Sequence, residues 1–194
     1  MTQKNQGQAV ARNVALDKAM GDYIFFLDGD DYWFPTKLEK QLNFMVMNKI
    51  NFSYTNYFVF DFKEQKEVAL VTGPKIVSHK DFMKTDYIGC LTAMYKKSII
   101  SDLQIPNSIR KRNDYALWLL ISEKCSCYLL NEALASYTIN NNGISSANKL
   151  LLLKHHWYLF RILYNYSFVK SWLLSLRNAV YYYIRKIKYF RKVS

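Results

Sequence analysis

The chain has 194 residues, enough for one ordinary domain with an appended segment, and 51% of them are hydrophobic, so a sizeable core can form. With only 6 glycines and 3 prolines, the composition excludes a largely disordered chain, and 3 scattered cysteines exclude a disulfide framework. The formal net charge of +12 is concentrated at one end, because no Asp or Glu follows Glu132, whereas residues 133–194 contain six Lys and four Arg.

The first predicted element is a helix over residues 8–20, where apolar residues recur at helical spacing until Gly21. The apolar run Tyr23–Leu27 then predicts a short strand that is buried on both faces. A cluster of carboxylates, Asp28-Gly29-Asp30-Asp31, follows this strand directly. Helix, strand and polar loop in this order are typical of a doubly wound α/β sheet, in which ligands gather at the carboxyl ends of strands.

A second helix is predicted to open at Pro35, because proline is favoured at a first helical position, and its inner stripe is expected to be Leu38, Leu42 and Met45. Further along the chain, the pattern predicts strands over Asn51–Asp61, Val68–Thr72 and Gly89–Tyr95, and an extended segment over Tyr128–Ile139. It predicts short helices over Asp81–Lys84 and Lys97–Leu103 and a longer helix over Asn113–Cys125. A loop is predicted at Asn140–Gly143, followed by helical structure from Leu150 onward.

The acidic cluster has two interpretations. Its three carboxylates repel one another, so a cation is their natural complement, and hard carboxylate oxygens select Mg²⁺ or Mn²⁺. Such a cation could neutralise the charge of a departing diphosphate. The alternative is a solvated turn ahead of the next helix, because Asp and Gly are favoured in turns. The aromatic residues on both sides of the cluster favour a binding site.

Three segments in this order resemble the family 2 glycosyltransferases: Asn5–Asn13, Gly21–Trp33 and Pro35–Gln41. That family carries an N-x-G-x-x-x-A-R-N segment, a Leu-Asp-x-Asp-Asp loop and a K-L-E-x-Q helix on a GT-A fold. The resemblance covers residues 5 to about 148. It implies an α/β class with a partial GT-A domain, a Rossmann-like doubly wound mixed sheet, over residues 1–148. Residues 149–194 are then a basic, aromatic, helical extension.

The same resemblance implies roles for individual residues. Arg12 and Asn13 would lie near the donor nucleotide. Asp28 would contact the ribose side of the donor, and Asp31 would support the loop against the donor. Asp30 would hold a divalent metal, Mg²⁺ or Mn²⁺, against the diphosphate.

The segment Asn113–Leu119 resembles the family's Glu-Asp-Tyr-x-Leu-Trp sequence, so Asp114 would remove the proton from the acceptor hydroxyl in an inverting displacement. A helix N-terminus would favour its ionised form. On local grounds alone, Asp114 is instead a helix cap. Asn113 stands where the family has Glu, which removes a charge beside the base. Trp118 would either stack on an acceptor sugar or pack in the core.

The resemblance also has implications for the segments at its two ends. Tyr137–Ser146 resembles the family's late, Ser-rich loop near the acceptor, and a plain connection explains it equally well. Family members usually carry two or three strand–helix units before the segment that starts at Asn5, and these units hold most of the nucleoside pocket. We therefore expect the strand at Tyr23–Leu27 to lack a sheet neighbour. We also expect weak activity from this chain alone, as a truncated remnant or one half of a split glycosyltransferase.

The basic segment Leu150–Ser194 mixes aromatic and apolar residues with lysine and arginine, and a single helical face is expected to carry Arg177, Arg185, Lys188 and Lys192. Such a segment suits an anionic membrane surface. The alternative is a helical pair packed on the domain, with its cations reaching solvent. Nucleic acid is not an expected partner, because no recognised motif accompanies these basic residues.

The N-terminal residues, the apolar runs and the cysteines indicate the cellular compartment of the protein. We expect neither a signal peptide nor a membrane span, since the first residues are polar and the apolar run Ile162–Val169 is short. Cys125 and Cys127 lack a second Cys/His pair at zinc-finger spacing, so reduced cysteines in a cytoplasmic protein are favoured. The overall prediction is transfer of a sugar from a nucleotide-diphosphate donor to a saccharide or lipid-linked acceptor in bacterial-type surface polysaccharide synthesis, at the inner face of the cell membrane.

Overall fold

A computed structural model describes residues 6–100, 103–139 and 149–193. Within these ranges the α-helices are α1 (Gln8–Lys18), α2 (Lys37–Met47), α3 (His79–Phe82), α4 (Asn113–Ser122), α5 (Lys149–Tyr164) and α6 (Phe168–Tyr189). The strands are β1 (Tyr23–Phe25), β2 (Tyr32–Trp33), β3 (Phe52–Asp61), β4 (Lys66–Val71), β5 (Ile76–Val77), β6 (Met94–Lys96), β7 (Cys127–Ile139) and β8 (Phe190–Lys192).

The strands form one mixed sheet built around β3. Along one path the order is β1-β6-β3-β4-β8, and all of these pairs are antiparallel. The other edge of β3 pairs in parallel with β7, which also pairs with β2 and β5. The α/β class and the mixed sheet are therefore confirmed.

The core lies between this sheet and helix α4. That helix is apolar around most of its circumference, as expected of a helix with no solvent-facing side. Its Trp118 ring is fully buried and packs against Phe52 of β3, with ring centroids 5.6 Å apart, and against Tyr95 of β6 at 6.2 Å. Packing of α4 in the core thus determines the position of its first turn.

The strand predicted at Tyr23–Leu27 is shorter and less buried than expected. β1 ends at Phe25, and the side chains of Phe25 and Leu27 are exposed rather than covered on both faces. The expectation that this strand lacks a sheet neighbour is wrong, because β6 pairs with β1. Among the described residues β1 is the end strand of this path, which explains why part of it is exposed.

Of the inner stripe predicted for the second helix, Met45 is confirmed, whereas Leu38 and Leu42 are wrong. Leu38 and Leu42 are exposed, whereas Lys37, Gln41 and Met45 face the core. The Gln41 amide donates hydrogen bonds to the Thr92 carbonyl at 3.0 Å and to the Ser53 hydroxyl at 3.1 Å. Such partners remove the usual penalty for burying polar groups.

The strand predicted over Gly89–Tyr95 is interrupted. A 3₁₀ turn occupies Cys90–Thr92, and β6 begins only at Met94. The short strands β2, β5 and β8 were not predicted, because two or three residues carry no measurable periodicity. The predicted loop at Asn140–Gly143 and the Ser-rich end of the late loop lie outside the described residues.

The C-terminal helices pack on the rest of the molecule. Leu159 and Phe160 of α5 belong to the main core, and β8 extends the sheet beside β4. From α6, Arg177 donates to the Met83 carbonyl at 2.8 Å, and Arg185 donates to the Asp86 carbonyl at 2.5 Å. These two arginines therefore do not form a free basic face with Lys188 and Lys192, as the helical pattern had predicted.

Candidate active site

The acidic loop lies at the carboxyl end of β1. The Asp31 amide donates to the Asp28 carbonyl at 3.1 Å, which closes the loop into a tight turn. Asp28 and Asp30 are exposed, whereas Asp31 is partly buried. The loop therefore presents two carboxylates to solvent and turns the third towards the protein.

Asp31 joins the loop to the far end of β7. Its carboxylate Oδ1 accepts a hydrogen bond from the Thr138 backbone amide at 3.1 Å. Burial raises the pKa of Asp31 to about 7, the Thr138 bond opposes this rise, and the charges of Asp30 and Asp28 add to it. The contact holds the loop in place, and the role of Asp31 towards a donor remains a prediction.

Arg12 connects the acidic loop with the start of α4. Its guanidinium lies 3.8 Å from the Asp28 carboxylate and donates to the Cys90 sulfur at 3.2 Å. The same group donates to the side-chain oxygen of Asn113, and it lies over the Phe26 ring, 5.1 Å from the centroid. A single, mostly buried cation thus contacts the loop that follows β1 and the first residue of α4.

Asn13 is placed differently from Arg12. Its amide nitrogen donates to the Ile105 carbonyl at 2.8 Å and to the Asn107 side chain at 3.1 Å, while its oxygen accepts from the Ile105 amide at 2.9 Å. These contacts hold the segment that leads towards α4. The structure therefore gives Asn13 a positional role and does not turn its amide towards the acidic loop.

Asp114 lies in the first turn of α4 and is partly exposed. The N-cap residue is Arg112, in the left-handed region with φ 60°, so Asp114 is not the N-cap residue that local reasoning suggested. Its Oδ1 accepts a hydrogen bond from the Tyr115 amide at 2.8 Å. An anionic side chain is favoured at this end of a helix.

The thiol of Cys90 accepts a hydrogen bond from Arg12, which also contacts the acidic loop and α4. Burial raises the pKa of Cys90, and the charges that act on it next are those of Arg12, Asp114, Asp28 and Asp86. Arg12 contacts Cys90, Asp28 and Asn113, the residue next to Asp114, so the acidic loop and the first turn of α4 border one region. The structure therefore brings Asp28 and Asp114, 86 positions apart in sequence, to the same site.

Asp86 is a member of this region that sequence reasoning missed. It is buried, and its carboxylate accepts a hydrogen bond from the Ile88 amide at 3.1 Å. Burial raises the pKa of Asp86, as does the charge of Asp114, while Arg112 and Arg185 lower it. No local pattern distinguishes this aspartate, and only the fold brings it close to Asp114.

The structure corrects the expectation that Trp118 stacks on an acceptor sugar. Its indole is completely buried among core aromatics, so a sugar cannot reach either face of the ring. The alternative, packing, is what the structure shows.

A groove of about 510 Å³ opens beside Asp30 and was not predicted. It combines aromatic rings with hydroxyl and carboxylate groups, and it is lined by Asp30, Tyr32, Phe34, Phe60, Phe62, Glu67, Ser136 and Thr138. The hydroxyl of Ser136 is buried without a hydrogen-bond partner among the described residues. Mixed apolar and polar linings of this kind are typical of small-molecule sites.

The loop offers part of a metal site. Among the described residues, no three His, Cys, Asp or Glu side chains are arranged to hold a metal ion. Asp28 and Asp30 nevertheless supply exposed, hard oxygen donors, and Mg²⁺ commonly takes one or two carboxylates and leaves its other positions to water and phosphate. The donor set therefore fits Mg²⁺ or Mn²⁺, whereas Asp31 is already bound by Thr138.

Comparison with known proteins identifies the family of the chain. A family model described as Glycosyl transferase family 2 matches residues 1–104. The chain is 40% identical over 182 residues to the glycosyltransferase TuaG of Bacillus subtilis, which is named for teichuronic acid biosynthesis, and the match covers 92% of this chain and 71% of TuaG. It is 34% identical over 154 residues to WfgD of Escherichia coli, a UDP-Glc:alpha-D-GlcNAc-diphosphoundecaprenol beta-1,3-glucosyltransferase, covering 78% of this chain and 59% of WfgD.

Among solved structures, residues 1–349 of TarS from S. aureus in complex with UDP align with a TM-score of 0.60 at 15% identity. The alignment covers 92% of this chain and 52% of the TarS chain, so the present chain spans about half of that structure. This similarity confirms the expected GT-A type of fold.

Proposed function

The chain belongs to glycosyl transferase family 2, and from this premise we propose that it moves a sugar from a nucleoside-diphosphate donor to an acceptor hydroxyl with inversion at the anomeric carbon. The observation that carries the proposal is that Arg12 contacts both Asp28 of the acidic loop and Asn113, the residue next to Asp114, at the start of α4. A donor and an acceptor hydroxyl must meet within one such region for direct displacement to occur.

Asp114 is the proposed general base. It takes the proton from the acceptor oxygen while that oxygen attacks the anomeric carbon, and the bond to the nucleoside diphosphate breaks on the opposite face. Its position in the first turn of α4 favours the carboxylate form that accepts a proton. Asp86 is too buried to take this role itself.

Arg12 and the acidic loop are proposed to bind the leaving diphosphate. Arg12 carries a fixed positive charge beside Asp28, and guanidinium groups bind phosphate oxygens well. Asp28 faces the ribose side of the donor, and Asp31 keeps the loop in place through Thr138. Asp30, with Asp28, would hold Mg²⁺ or Mn²⁺, which when bound supplies positive charge to the departing group.

The proposed acceptor is a saccharide, either free or linked to a lipid diphosphate, in the assembly of a bacterial surface polysaccharide. Support comes from the names of TuaG and WfgD, one of which acts on a diphosphoundecaprenol-linked sugar. TarS, which shares the fold, has been solved with UDP. A lipid-linked acceptor would place this protein at an anionic membrane surface, on the cytoplasmic face.

The rival reading is a chain that keeps the fold without turnover, either as a remnant or as one half of a split enzyme. A single substitution, Asp114→Asn, separates the two readings. It keeps the size of the side chain and removes its ability to accept a proton. Removal of a general base typically lowers a rate by about 10² to 10⁴.

The test measures release of nucleoside diphosphate and transfer of sugar from UDP-glucose and UDP-GlcNAc, with Mn²⁺, to a synthetic GlcNAc-diphospholipid. We expect turnover by the wild type, at least a hundredfold less by Asp114→Asn, and unchanged UDP affinity. Glu39→Gln, an exposed carboxylate-to-amide change on α2, is the matched control and should keep full activity. Equal rates for the wild type and Asp114→Asn would remove Asp114 as the base.

A further inference from the structure

Helix α6 has two different faces. The face that packs on the protein is made of small polar residues, Ser171, Ser175 and Asn178, all of them buried. The Asn178 amide donates to the Tyr115 hydroxyl of α4 at 3.0 Å, and Ser175 donates to the Ser171 carbonyl at 2.9 Å. The Asn178 amide thus bonds to another element while Ser175 bonds within α6, and a helix that buries a polar side is the reverse of an ordinary surface helix.

The opposite face of α6 is apolar and exposed. We call it the outer stripe, and it consists of Val169, Leu173, Leu176, Val180 and Ile187. These side chains are between 52% and 85% exposed. Their spacings of four, three, four and seven residues keep them on one side of a helix, along roughly 27 Å at 1.5 Å per residue. Contiguous exposed apolar surface of this extent marks an interaction site rather than ordinary surface.

Basic residues border the outer stripe on both sides. At 3.6 residues per turn, Lys170 and Lys188 lie on one side of the stripe and Lys186 lies on the other. No carboxylate accompanies them, because the sequence contains no Asp or Glu after Glu132. An apolar strip with lysines on both sides complements the acyl region and the anionic headgroups of a lipid surface.

We propose that α6 lies flat in the interface of an anionic bilayer, with the outer stripe inserted among the lipid chains and the flanking lysines at the phosphates. This inference rests on the proposed function in taking the membrane of the lipid-linked acceptor as the partner. In the part of the chain that the structure describes, no helix is long and apolar enough to cross a membrane.

A second copy of the chain is the competing occupant, because spacings of four and three residues also suit a coiled coil. The charges oppose that arrangement. Residues that flank a coiled-coil seam face their counterparts across it, and here lysine would meet lysine with no carboxylate on α6 to pair with. A lipid headgroup supplies the negative charge that a second copy lacks.

The test uses the full chain and sedimentation with two kinds of vesicle, one of phosphatidylcholine alone and one with about a third phosphatidylglycerol. We expect binding to the anionic vesicles to exceed binding to the neutral ones by about tenfold or more and to weaken with added salt. The variant Leu173→Glu/Val180→Glu should lose at least about tenfold of this binding, because two carboxylates would enter the apolar layer.

Met20→Glu/Met47→Glu is the matched control. It adds the same two charges at almost fully exposed apolar residues away from α6, and it should bind as the wild type does. Ile187→Asn is a milder change at the most exposed position of the stripe, and it should weaken binding without any change in melting temperature. This variant keeps the test valid if the double variant proves unstable.

Three results would overturn the proposal: no preference of the wild type for anionic vesicles, stripe variants that bind like the control, or a wild-type dimer in light scattering that the stripe substitutions dissociate. UDP affinity, measured on the same samples, separates this proposal from the catalytic one. Vesicle binding without UDP binding would leave the membrane surface standing and remove the transferase assignment.

Discussion

Lys37 is buried without a carboxylate among its contacts. It is 1% exposed, its ammonium donates to the Gln41 side-chain oxygen at 2.6 Å, and it lies 5.5 Å from the centre of the Trp33 ring. Burial lowers the pKa of Lys37 to about 7. The side chain therefore changes charge near neutral pH, next to the strand and helix that flank the acidic loop.

This shift makes stability depend on pH in a defined direction. Below about pH 7 the lysine is protonated in both states, and between about 7 and 10.5 the unfolded chain holds the proton more tightly. The free energy of unfolding should therefore rise with pH across that window. Lys37→Met, which preserves volume, should remove a rise on the order of 1 to 3 kcal/mol. Urea unfolding of the wild type and the variant at pH 7, 8, 9 and 10 measures this difference. If the free energies of unfolding of the two proteins changed with pH in parallel, the prediction would be contradicted.

The burial of Lys37 could not be predicted from the sequence. An apolar pattern selected Leu38 and Leu42 as the inner residues of α2, yet Lys37 and Gln41 face inwards. Their partners, the Thr92 carbonyl and the Ser53 hydroxyl, are 51 and 12 positions from Gln41. When buried polar side chains find their hydrogen-bond partners far away in the sequence, the helix itself carries no periodic pattern that reveals them. Asp28, Asp30 and Asp114 could be proposed as site residues from the sequence because they stand in recognisable motifs, and their roles remain predictions. Asp86 stands in no such motif.

At the scale of elements, α5 is joined to the start of α4 through a histidine. The Arg112 side chain donates from Nε to Nε2 of His156 at 3.0 Å, so this ring nitrogen must be an unprotonated acceptor. His156 is buried and packs against the Tyr115 ring at 5.8 Å. Burial, followed by the charge of Arg112, lowers the pKa of His156 to about 3.

We expect this contact to weaken in acid. Between pH 6.5 and about 3 the unfolded chain binds a proton at His156 that the folded chain does not, so stability should fall as the pH is lowered through this window. His156→Gln keeps an acceptor for Arg112 without titrating. The variant should lose less stability than the wild type between pH 6.5 and 4.5, by about 1 to 2 kcal/mol. Denaturant midpoints at these two pH values give the comparison, and equal losses would count against it.

Elements were predicted well where their own residues decide them. The long strands β3 and β7 and the helix α4 follow from apolar runs and turn residues, and their observed bounds are close to those expected. β2, β5 and β8 depend instead on partners in β4 and β7, far away in sequence. The interruption at Cys90–Thr92 likewise follows from tertiary packing, because its residues have no strong turn preference.

At the scale of the whole molecule, the basic C-terminal segment and the catalytic region share one core. The division of the chain at residue 148 remains a prediction, but the fully buried Leu159 and Phe160 join the same cluster as Phe52 and Trp118. The sequence showed the charge and helicity of this segment. It could not show which side of each helix packs, because α6 buries its small polar side.

Deletion of residues 150–194 should therefore unfold the protein rather than release it from a surface. Loss of a large core side chain costs about 2 to 5 kcal/mol, and two such losses are comparable with the stability of a whole domain. We expect the truncated chain to lose its cooperative urea transition and to bind a hydrophobic dye. Ile187→Asn, on the outer side of α6, should retain the wild-type transition. A truncated chain with a normal transition would show that the core does not need α5.

The contact between Asp31 and Thr138 spans 107 positions, and the parallel pairing of β3 with β7 is similarly non-local. Contacts of this kind form slowly, and on a ribosome they cannot form until the later partner has been synthesised. The aspartates of the acidic loop, which are synthesised before β7, thus stay without their anchor until residue 138 has left the exit tunnel. Nascent chains that stop short of β7 expose an incomplete sheet, and chaperones are the natural protection for that interval.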